Sequence, residues 1–426
     1  MQSEWRERKL GEILKFANGR TSPERADDGA FVVYGANGPI GLSSEHNSPS
    51  DTIVIGRVGS YCGAVHFSHK PCWVTDNAIR AEVLPGNHPY YIFSLLRMLD
   101  LNRWRSGSGQ PLLNQSILSA IQVNLPSFDV QYGIGMLLKQ FDDRIELLRQ
   151  TNLTLESIAQ ALFKSWFIDF DPVHAKAEGR EPEGIDAETA ALFPDTFDES
   201  VLGEIPKGWT GIPFGELLSF AIGGDWGAEG PTDTCTQPAT IIRGTDIPDI
   251  AAGQFDDVPR RYVSPKKSEK RKLQDGDLVI EVSGGSKTQP TGRSLYVTKD
   301  VLKKLGETAV PTSFCRLFRA PDAHTALLLS QHLTAIYQAG KMWNYQVQST
   351  GLANFQTQHF LDSEMVVVPP PSVRKAFFDI VRPLVDRICS APIAELAALR
   401  DTLLPRLISG KLRLPEAEAQ LNEALA

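Results

Sequence analysis

The spacing of apolar residues is most regular between residues 126 and 171, where they recur at alternating steps of four and three. That is the heptad spacing of a helix that packs against another helix. A helix over 129–166 is about 57 Å long at ~1.5 Å per residue. One small domain does not need a helix of that length, so the pattern predicts a spacer helix with an apolar seam.

A second stretch, 372–412, carries a similar pattern and is the expected partner in the same chain. The polar Asn152 fills the seam position between Leu148 and Leu155. Pro383 and Pro392 are expected to kink or interrupt the second helix. The predicted seam, which we also expect to serve in partner docking, consists of Ile134, Leu138, Phe141, Ile145, Leu148, Leu155, Leu162, Trp166, Phe377, Val381, Leu384, Ile388, Leu396, Leu399, Leu403 and Leu407.

The chain also contains an internal repeat. The triplet Asp-Arg-Ile at 143–145 recurs at 386–388, an offset of 243 that also carries Pro126 onto Pro369. Near the N-terminus Trp5 recurs as Trp209, an offset of 204. A repeat period near half the chain indicates duplication rather than a solenoid.

Short β-like runs such as TIVIG and FVVYG follow an expected helix over 3–20. We therefore predict an α+β chain: two similar mixed α/β lobes, separated by a pair of long antiparallel, coiled-coil-like helices, with a pseudo-twofold internal repeat. A short helix is expected at 187–192 within an otherwise solvated connector. The predicted segments are a first lobe at 1–126, a central helix at 127–170, an acidic linker at 171–206, a second lobe at 207–371, a distal helix at 372–412 and a tail at 413–426.

Composition and charge restrict the function. A chain of 426 residues with 42% hydrophobic residues can form two cores. The net charge of −8 arises in residues 126–206, which hold 6 basic and 16 acidic residues, whereas residues 1–125 hold 12 and 11. Proteins that bind duplex DNA alone are usually more basic, so we expect help from a partner. The sequence shows no leader and no membrane-spanning run, which predicts a cytoplasmic protein without membrane contact.

Polar loops flanked by glycine recur in both lobes and form the candidate chemistry. Asn77 is suited to bidentate contact with adenine, and glycines allow a ligand to approach the backbone. Each residue alone is more typical of a polar surface turn, but their recurrence in both lobes favours a binding surface. The candidate DNA-binding residues are Arg57, Ser60, Tyr61, Asn77, Arg105, Ser108, Gln110, Asn114, Arg243, Thr245, Lys287, Thr288, Gln289, Arg293, Gln348, Ser349 and Asn354.

The sequence offers no catalytic residues. Walker A, HExxH, GxSxG and methyltransferase signatures are missing, and the histidines are dispersed. The five cysteines form no CxxC pair, so they are expected to be buried thiols, and no metal site is predicted. The basic run at 266–272 suits either a phosphate contact or a solvated face.

Nearly the whole chain resembles the specificity subunit of type I restriction–modification enzymes. The resemblance is strongest at 153–173, 187–195, 202–209 and 403–414. It implies that the two lobes are target-recognition domains, each reading one half of a split double-stranded DNA sequence. It also implies two methyltransferase subunits and further restriction subunits as partners, docked through the long helices. S-adenosylmethionine, ATP and magnesium would then be bound by those partners and not by this chain.

Two other interpretations remain at this point. A duplicated enzyme predicts turnover by the isolated chain, and the missing catalytic motifs argue against it. A scaffold that binds other proteins through its helices and does not read DNA predicts no footprint on DNA. The polar, glycine-flanked loops of both lobes argue against the scaffold.

Overall fold

The chain is described by a computed structural model, which forms two compact units. The first unit comprises Met1–Glu146 and Glu395–Ala426, and the second comprises Leu147–Ala394. One helix, Phe128–Phe167, contributes residues to both units. The structure describes residues 5–105, 112–255, 257–286, 288–348 and 353–425.

The first lobe is built on an antiparallel four-stranded sheet in the order β2-β8-β5-β6, beside a three-stranded sheet β4-β3-β7 in which β3 and β7 run parallel. All five residues of the central strand β5, TIVIG, are buried, as suits β-branched residues in a sheet covered on both faces. The elements are β1 Arg6–Lys9, α1 Leu10–Ile13, β2 Leu14–Asn18, β3 Phe31–Gly35, β4 Gly38–Ser43, β5 Thr52–Gly56, β6 Val65–Ser68, β7 Cys72–Val74, β8 Ala78–Val83, α2 Pro89–Met98, α3 Gln115–Ala120, β9 Gln122–Leu125 and α4 Phe128–Phe167.

The helix expected over 3–20 is wrong within the described residues. β1 pairs with β9 and β2 pairs with β8, and only the four residues of α1 between them are helical. Backbone hydrogen bonds to strands far along the chain outweigh the local helical preference, which is a weak determinant by itself.

The second unit repeats this plan with insertions. Its four-stranded sheet has the order β13-β20-β16-β18, and its three-stranded sheet β15-β14-β19 again contains one parallel pair, β14 with β19. The elements are α5 Asp171–Ala177, α6 Ala187–Ala191, β10 Phe197–Ser200, β11 Gly203–Pro206, β12 Thr210–Pro213, β13 Phe220–Gly223, β14 Gln237–Ile242, α7 Ile247–Ala251, β15 Arg260–Val263, α8 Pro265–Arg271, β16 Leu278–Glu281, β17 Ser283–Gly284, β18 Ser294–Tyr296, α9 Lys299–Leu305, β19 Ala309–Pro311, β20 Cys315–Arg319, α10 Ala323–Gln338, β21 Gln346–Gln348, β22 Ala353–Phe355, α11 Thr357–Ser363, β23 Met365–Val368 and α12 Pro371–Ser390.

Strand register reproduces both sequence offsets. In the first lobe Arg6 of β1 lies opposite Leu125 of β9, and in the second Thr210 of β12 lies opposite Val368 of β23. Thr210 follows Arg6 by 204 residues and Val368 follows Leu125 by 243 residues, and these are the two offsets of the sequence repeat. The predicted α+β architecture with two similar lobes and long helices is confirmed.

The distal helix predicted over 372–412 is two helices. α12 ends at Ser390 and α13, Ile393–Ile408, begins directly after Pro392, so this proline interrupts the helix as expected. Pro383 instead lies inside α12. The residues predicted as a tail include a third helix, α14, Leu414–Leu425.

Both parts of α4 pack antiparallel against these helices. Within the second unit Asn152 of α4 contacts Ile388 of α12, whereas Phe167 contacts Phe377, with 4.8 Å between their ring centroids. Within the first unit Arg400 of α13 binds the carboxylate of Asp142.

The acidic linker is folded rather than solvated. Besides α5 and the expected short helix α6, it contains the hairpin β10–β11. Val173, Phe193 and Ile205 are buried in the core of the second unit. The acidic residues of the linker are therefore exposed, whereas these apolar residues pack into the core. The overall composition did not reveal this pattern.

Candidate nucleic-acid interface

Three loops of the first lobe meet at the end of β5. The backbone N–H of Arg57 donates to the carbonyl of Asn77 at 3.0 Å, and the N–H of Leu113 donates to the carbonyl of Arg57 at 3.1 Å. These bonds join the glycine-rich loop 56–63, the turn 76–77 and the segment 112–114. The sequence-predicted loops are therefore brought together.

The side chains of this first loop cluster differ in their availability. Ser60, Tyr61, Asn77 and Arg105 are exposed. Asn114 is half-buried, and its side-chain oxygen accepts a hydrogen bond of 2.8 Å from the N–H of Ile117, which caps α3. Asn114 thus has a structural role as a helix cap, in addition to its predicted contact with DNA.

Arg57 is a special case. Its Nε is buried and has no hydrogen-bond partner within the described ranges, although the residue as a whole is half-buried. A guanidinium nitrogen left in this state gains most from an added acceptor. Ser108, Gln110, Lys287 and Ser349, which were also predicted to bind DNA, lie outside the described residues.

In the second lobe, the equivalent loops are joined by the same pair of backbone hydrogen bonds. The N–H of Val282 donates to the carbonyl of Phe314 at 2.8 Å, and the N–H of Phe355 donates to the carbonyl of Val282 at 2.8 Å. Val282 therefore corresponds to Arg57, and Phe314 corresponds to Asn77. One backbone framework presents different side chains in the two lobes.

A cleft of about 670 Å³ lies beside this second loop cluster. Four of its lining residues, Arg243, Thr245, Gln289 and Arg293, were predicted from the sequence. Trp226 and Phe314 also line it and were missed. The available signal was Trp226 within GGDWG, because an aromatic residue among glycines resembles the arrangement around Tyr61 in GSYCG.

The two arginines of the cleft are bound to carboxylates. Arg293 donates to both oxygens of Glu281, at 2.9 and 2.6 Å, and Glu281 is only 1% exposed. Arg243 donates to Asp246 at 2.6 Å. These hydrogen bonds raise the pKa of both arginines. Each guanidinium group thus supports the cleft wall, and its predicted contact with a base stays a prediction.

The remaining candidates of the second lobe are exposed. Thr288 donates its N–H to Ser286 in the turn before Gln289, and Asn354 accepts a hydrogen bond of 3.1 Å from Ser283. Gln348 lies on β21, which pairs with β22. All three lie on the segments adjoining the cleft loops, so they belong to the same surface region.

The seam residues of the long helices are mostly inside the protein. Ile134, Leu138, Phe141, Ile145, Leu148, Trp166, Phe377, Val381, Leu396, Leu403 and Leu407 are buried, and Leu155, Leu162, Leu384, Ile388 and Leu399 are half-buried. The exposed apolar residues on α4 lie outside the seam and include Leu147, Leu153 and Ile158, with Phe128 and Tyr132 near the start of the helix. These residues are accessible from solvent, whereas most of the seam is not.

None of the helices within the described residues is both long and apolar enough to cross a membrane.

Comparisons with known proteins find relatives of this chain. Residues 2–157 match the model of the type I restriction modification DNA specificity domain. The MjaIX type I restriction enzyme specificity subunit of Methanocaldococcus jannaschii is 26% identical over 355 residues, covering 80% of this chain and 72% of that protein. The HindI specificity subunit of Haemophilus influenzae is 41% identical over 108 residues, covering 25% and 22%. The S subunit of a type I restriction-modification system from M. genitalium has the same fold, with a TM-score of 0.60 at 15% identity over 95% of this chain and 96% of that one.

Proposed function

Because this chain belongs to the family of type I restriction–modification specificity subunits, we propose that it directs an adenine methyltransferase to a split DNA sequence. Each lobe reads one half of that sequence. The long helices bind two methyltransferase subunits, and restriction subunits complete the assembly.

The observation that carries this proposal is the shared framework of the two loop clusters. The same pair of backbone hydrogen bonds positions Arg57 and Asn77 in one lobe and Val282 and Phe314 in the other. Equal frameworks suit equal docking on two DNA segments, while different side chains at equal places suit two different base sequences. A protein scaffold that does not read DNA has no need of this variation.

The charge distribution supports a DNA contact that this chain shares with its partner subunits. Residues 260–272 of the second lobe hold seven basic residues and one acidic residue, of which Lys266, Lys267 and Lys270 are exposed. Such a run neutralises backbone phosphates without regard to sequence. Each lobe as a whole is close to neutral, so the partners contribute the remaining phosphate contacts.

The outer surface of α4 is our proposed docking site for the methyltransferase subunits. Leu147, Leu153 and Ile158 are exposed on the helix, whereas the seam is used for pairing within the chain. This modifies the prediction that the seam itself docks the partner. Leu147 and Ile158 are eleven residues apart and therefore lie on the same face of the helix. Exposed apolar side chains grouped on one face favour burial against another protein.

In this proposal the chain itself performs no catalysis. S-adenosylmethionine, ATP and magnesium are bound by the partner subunits. The chain contributes position: the DNA sequence that its loops accept decides which adenines the methyltransferase reaches.

The test is genome-wide mapping of adenine methylation in cells that carry this chain with its neighbouring methyltransferase, compared with cells from which the chain is deleted. We expect a split motif that disappears on deletion. Methylation that persists unchanged without the chain, or no methylation with it although the subunits assemble, would contradict the proposal.

A further inference from the structure

Two exposed aromatic rings line the cleft of the second lobe. Phe314 is 56% exposed and Trp226 is 37% exposed, and both line the same concave surface of about 670 Å³. We call this surface the aromatic cleft. Large apolar side chains gathered in a concavity with a few polar groups are typical of a binding site.

The two aromatic residues are held in place. The guanidinium group of Arg261 lies 4.3 Å from the ring centroid of Trp226, and Arg261 also pairs with Glu229. The carbonyl of Phe314 accepts hydrogen bonds from the N–H groups of Val282 and Ser283, at 2.8 and 3.3 Å. The ring of Trp226 and the backbone of Phe314 are therefore held, and groups that are held in place lose little conformational entropy when a ligand arrives.

The basic run 260–272 lies next to this cleft. Ala228, two residues after Trp226, pairs with Tyr262 in that run, and Arg271 donates to the carbonyl of Gly223 at 2.8 Å. Lys267 pairs with Asp225, the residue before Trp226, at 3.5 Å. An aromatic site bordered by cations complements a ligand that combines apolar groups with phosphates, as duplex DNA does.

In a stacked duplex only one apolar group projects from the base edges into the major groove, the 5-methyl group of thymine. Resting on the proposed function, we infer that the aromatic cleft reads a thymine methyl group in the half-site of the second lobe. Phe314 makes the contact and Trp226 forms the opposite wall.

The internal repeat strengthens this assignment. Asn77 holds the place of Phe314 in the first lobe, as the matching hydrogen bonds show. An amide suits the paired donor and acceptor of adenine, whereas a phenyl ring suits a methyl group. The two half-sites therefore differ at the base pair that these equivalent positions read.

The shape of the site favours a methyl group over an inserted wedge. A wedge that separates stacked bases requires a protruding apolar tip. Phe314 and Trp226 instead line a concavity together with Gly284 and Gly285. A methyl group that enters it loses contact with water on two sides.

The experiment uses the assembled methyltransferase complex and duplex oligonucleotides that carry the mapped motif. Each thymine of the second half-site is replaced in turn by uracil, which lacks only the methyl group. We expect one replacement to weaken binding by the wild-type complex about fourfold, the effect of one buried methyl group. The complex with Phe314→Ala binds the thymine and uracil duplexes at that position equally well.

Two controls accompany this comparison. Val201→Ala truncates an exposed apolar residue on the hairpin β10–β11 and leaves the sensitivity to uracil intact. Phe314→Leu keeps an apolar side chain and retains part of the preference, so a folding defect in the alanine variant is distinguishable. Uracil in the first half-site has the same effect on wild type and Phe314→Ala.

Three results would overturn the inference while leaving the proposed function standing. One is a second half-site without thymine on either strand. Another is a Phe314→Ala complex with wild-type sensitivity to every uracil. The last is a loss of affinity in Phe314→Ala that is equal for all sequences, as expected of a wedge. If the proposed function is wrong, the methylation mapping shows it before these binding experiments, because no split motif then depends on the chain.

Discussion

The side-chain amide of Asn152 donates a hydrogen bond of 3.3 Å to the backbone carbonyl of Ile388. Pro392, four residues after Ile388, has no N–H, so it cannot supply the donor that a continuous helix gives this carbonyl. The N–H of Ala391 reaches the same oxygen at 3.4 Å. The polar residue of the seam therefore lies where the partner helix is interrupted.

Replacing this amide tests its role. Asn152→Ala removes a donor to a carbonyl already deprived of its helical partner, and we expect the free energy of unfolding to fall by about 1–2 kcal/mol. Urea unfolding followed by tryptophan fluorescence measures the change. Thr154→Ala, at an exposed position of the same helix, should change stability by no more than about 0.5 kcal/mol. Equal effects of the two variants would refute the seam contact.

Neighbouring leucines separate helix pairing from partner binding. Leu148 is 5% exposed and Leu147 is 54% exposed. Leu148→Asp buries an unpaired charge in place of an apolar side chain, so we expect a loss of at least about 3 kcal/mol of stability or failure to fold. Leu147→Asp should fold normally and bind the methyltransferase subunits more weakly.

Unfolding experiments and co-purification with the methyltransferase measure these two outcomes. Normal assembly of Leu147→Asp would show that the methyltransferase subunits do not dock on this surface of α4. Normal stability of Leu148→Asp would show that the buried seam does not hold the helices together. The two conclusions are independent, because each variant has its own readout.

A buried carboxylate makes stability depend on pH. Burial by itself would raise the pKa of Glu364, but hydrogen bonds from His332, Lys341 and Tyr345 outweigh it and hold that pKa at about 2. The unfolded chain binds this proton at a higher pH, so the stabilisation is complete above about pH 4.5 and is lost as pH falls towards 2.

We expect Glu364→Gln to lose about 3 kcal/mol at pH 7, since the charge that Lys341 meets is removed. The difference between wild type and variant should shrink as the pH falls from 4.5 towards 2. Urea unfolding at a series of pH values measures it. A difference that is independent of pH over this range would show that the carboxylate charge is not responsible.

The ion pair in the cleft wall gives a fourth prediction. Arg293→Ala leaves the buried carboxylate of Glu281 without its guanidinium partner, and we expect a loss of about 3–5 kcal/mol in stability. In a double-mutant cycle with Glu281→Gln, the effects of the two changes should be strongly non-additive. Native stability of Arg293→Ala together with reduced DNA binding would instead favour Arg293 as a base-reading residue.

Two asparagines of the first lobe form a matched pair. Asn77→Ala should weaken DNA binding by about 1–3 kcal/mol and relax sequence preference in one half-site only. Asn114→Ala removes the cap of α3, so it should lower stability by about 1 kcal/mol and leave sequence preference unchanged. Binding to duplexes with single substitutions measures preference, and unfolding measures stability. If Asn77→Ala instead lowered stability and Asn114→Ala relaxed sequence preference, the roles assigned to the two residues would be reversed.

The sequence by itself determined the repeat and the long helix α4, and it indicated the family. The offsets 204 and 243 reappear as the strand registers Arg6 with Leu125 and Thr210 with Val368, because duplicated segments keep the same pairing. The heptad pattern located the seam, since spacing along a helix fixes which side chains share a face. Pro392 also ended a helix where its missing N–H requires.

Only the tertiary structure decided which residues are available to a ligand. Arg293 and Asn114 look like polar loop residues in sequence, yet one binds buried Glu281 and the other caps a helix. Phe314 looks like a core residue, yet backbone hydrogen bonds hold it at the surface, in the cleft that Trp226 also lines. The reason is physical. Periodicity reports the face on which a side chain lies, whereas exposure and pairing depend on segments that are distant in the chain and adjacent in space.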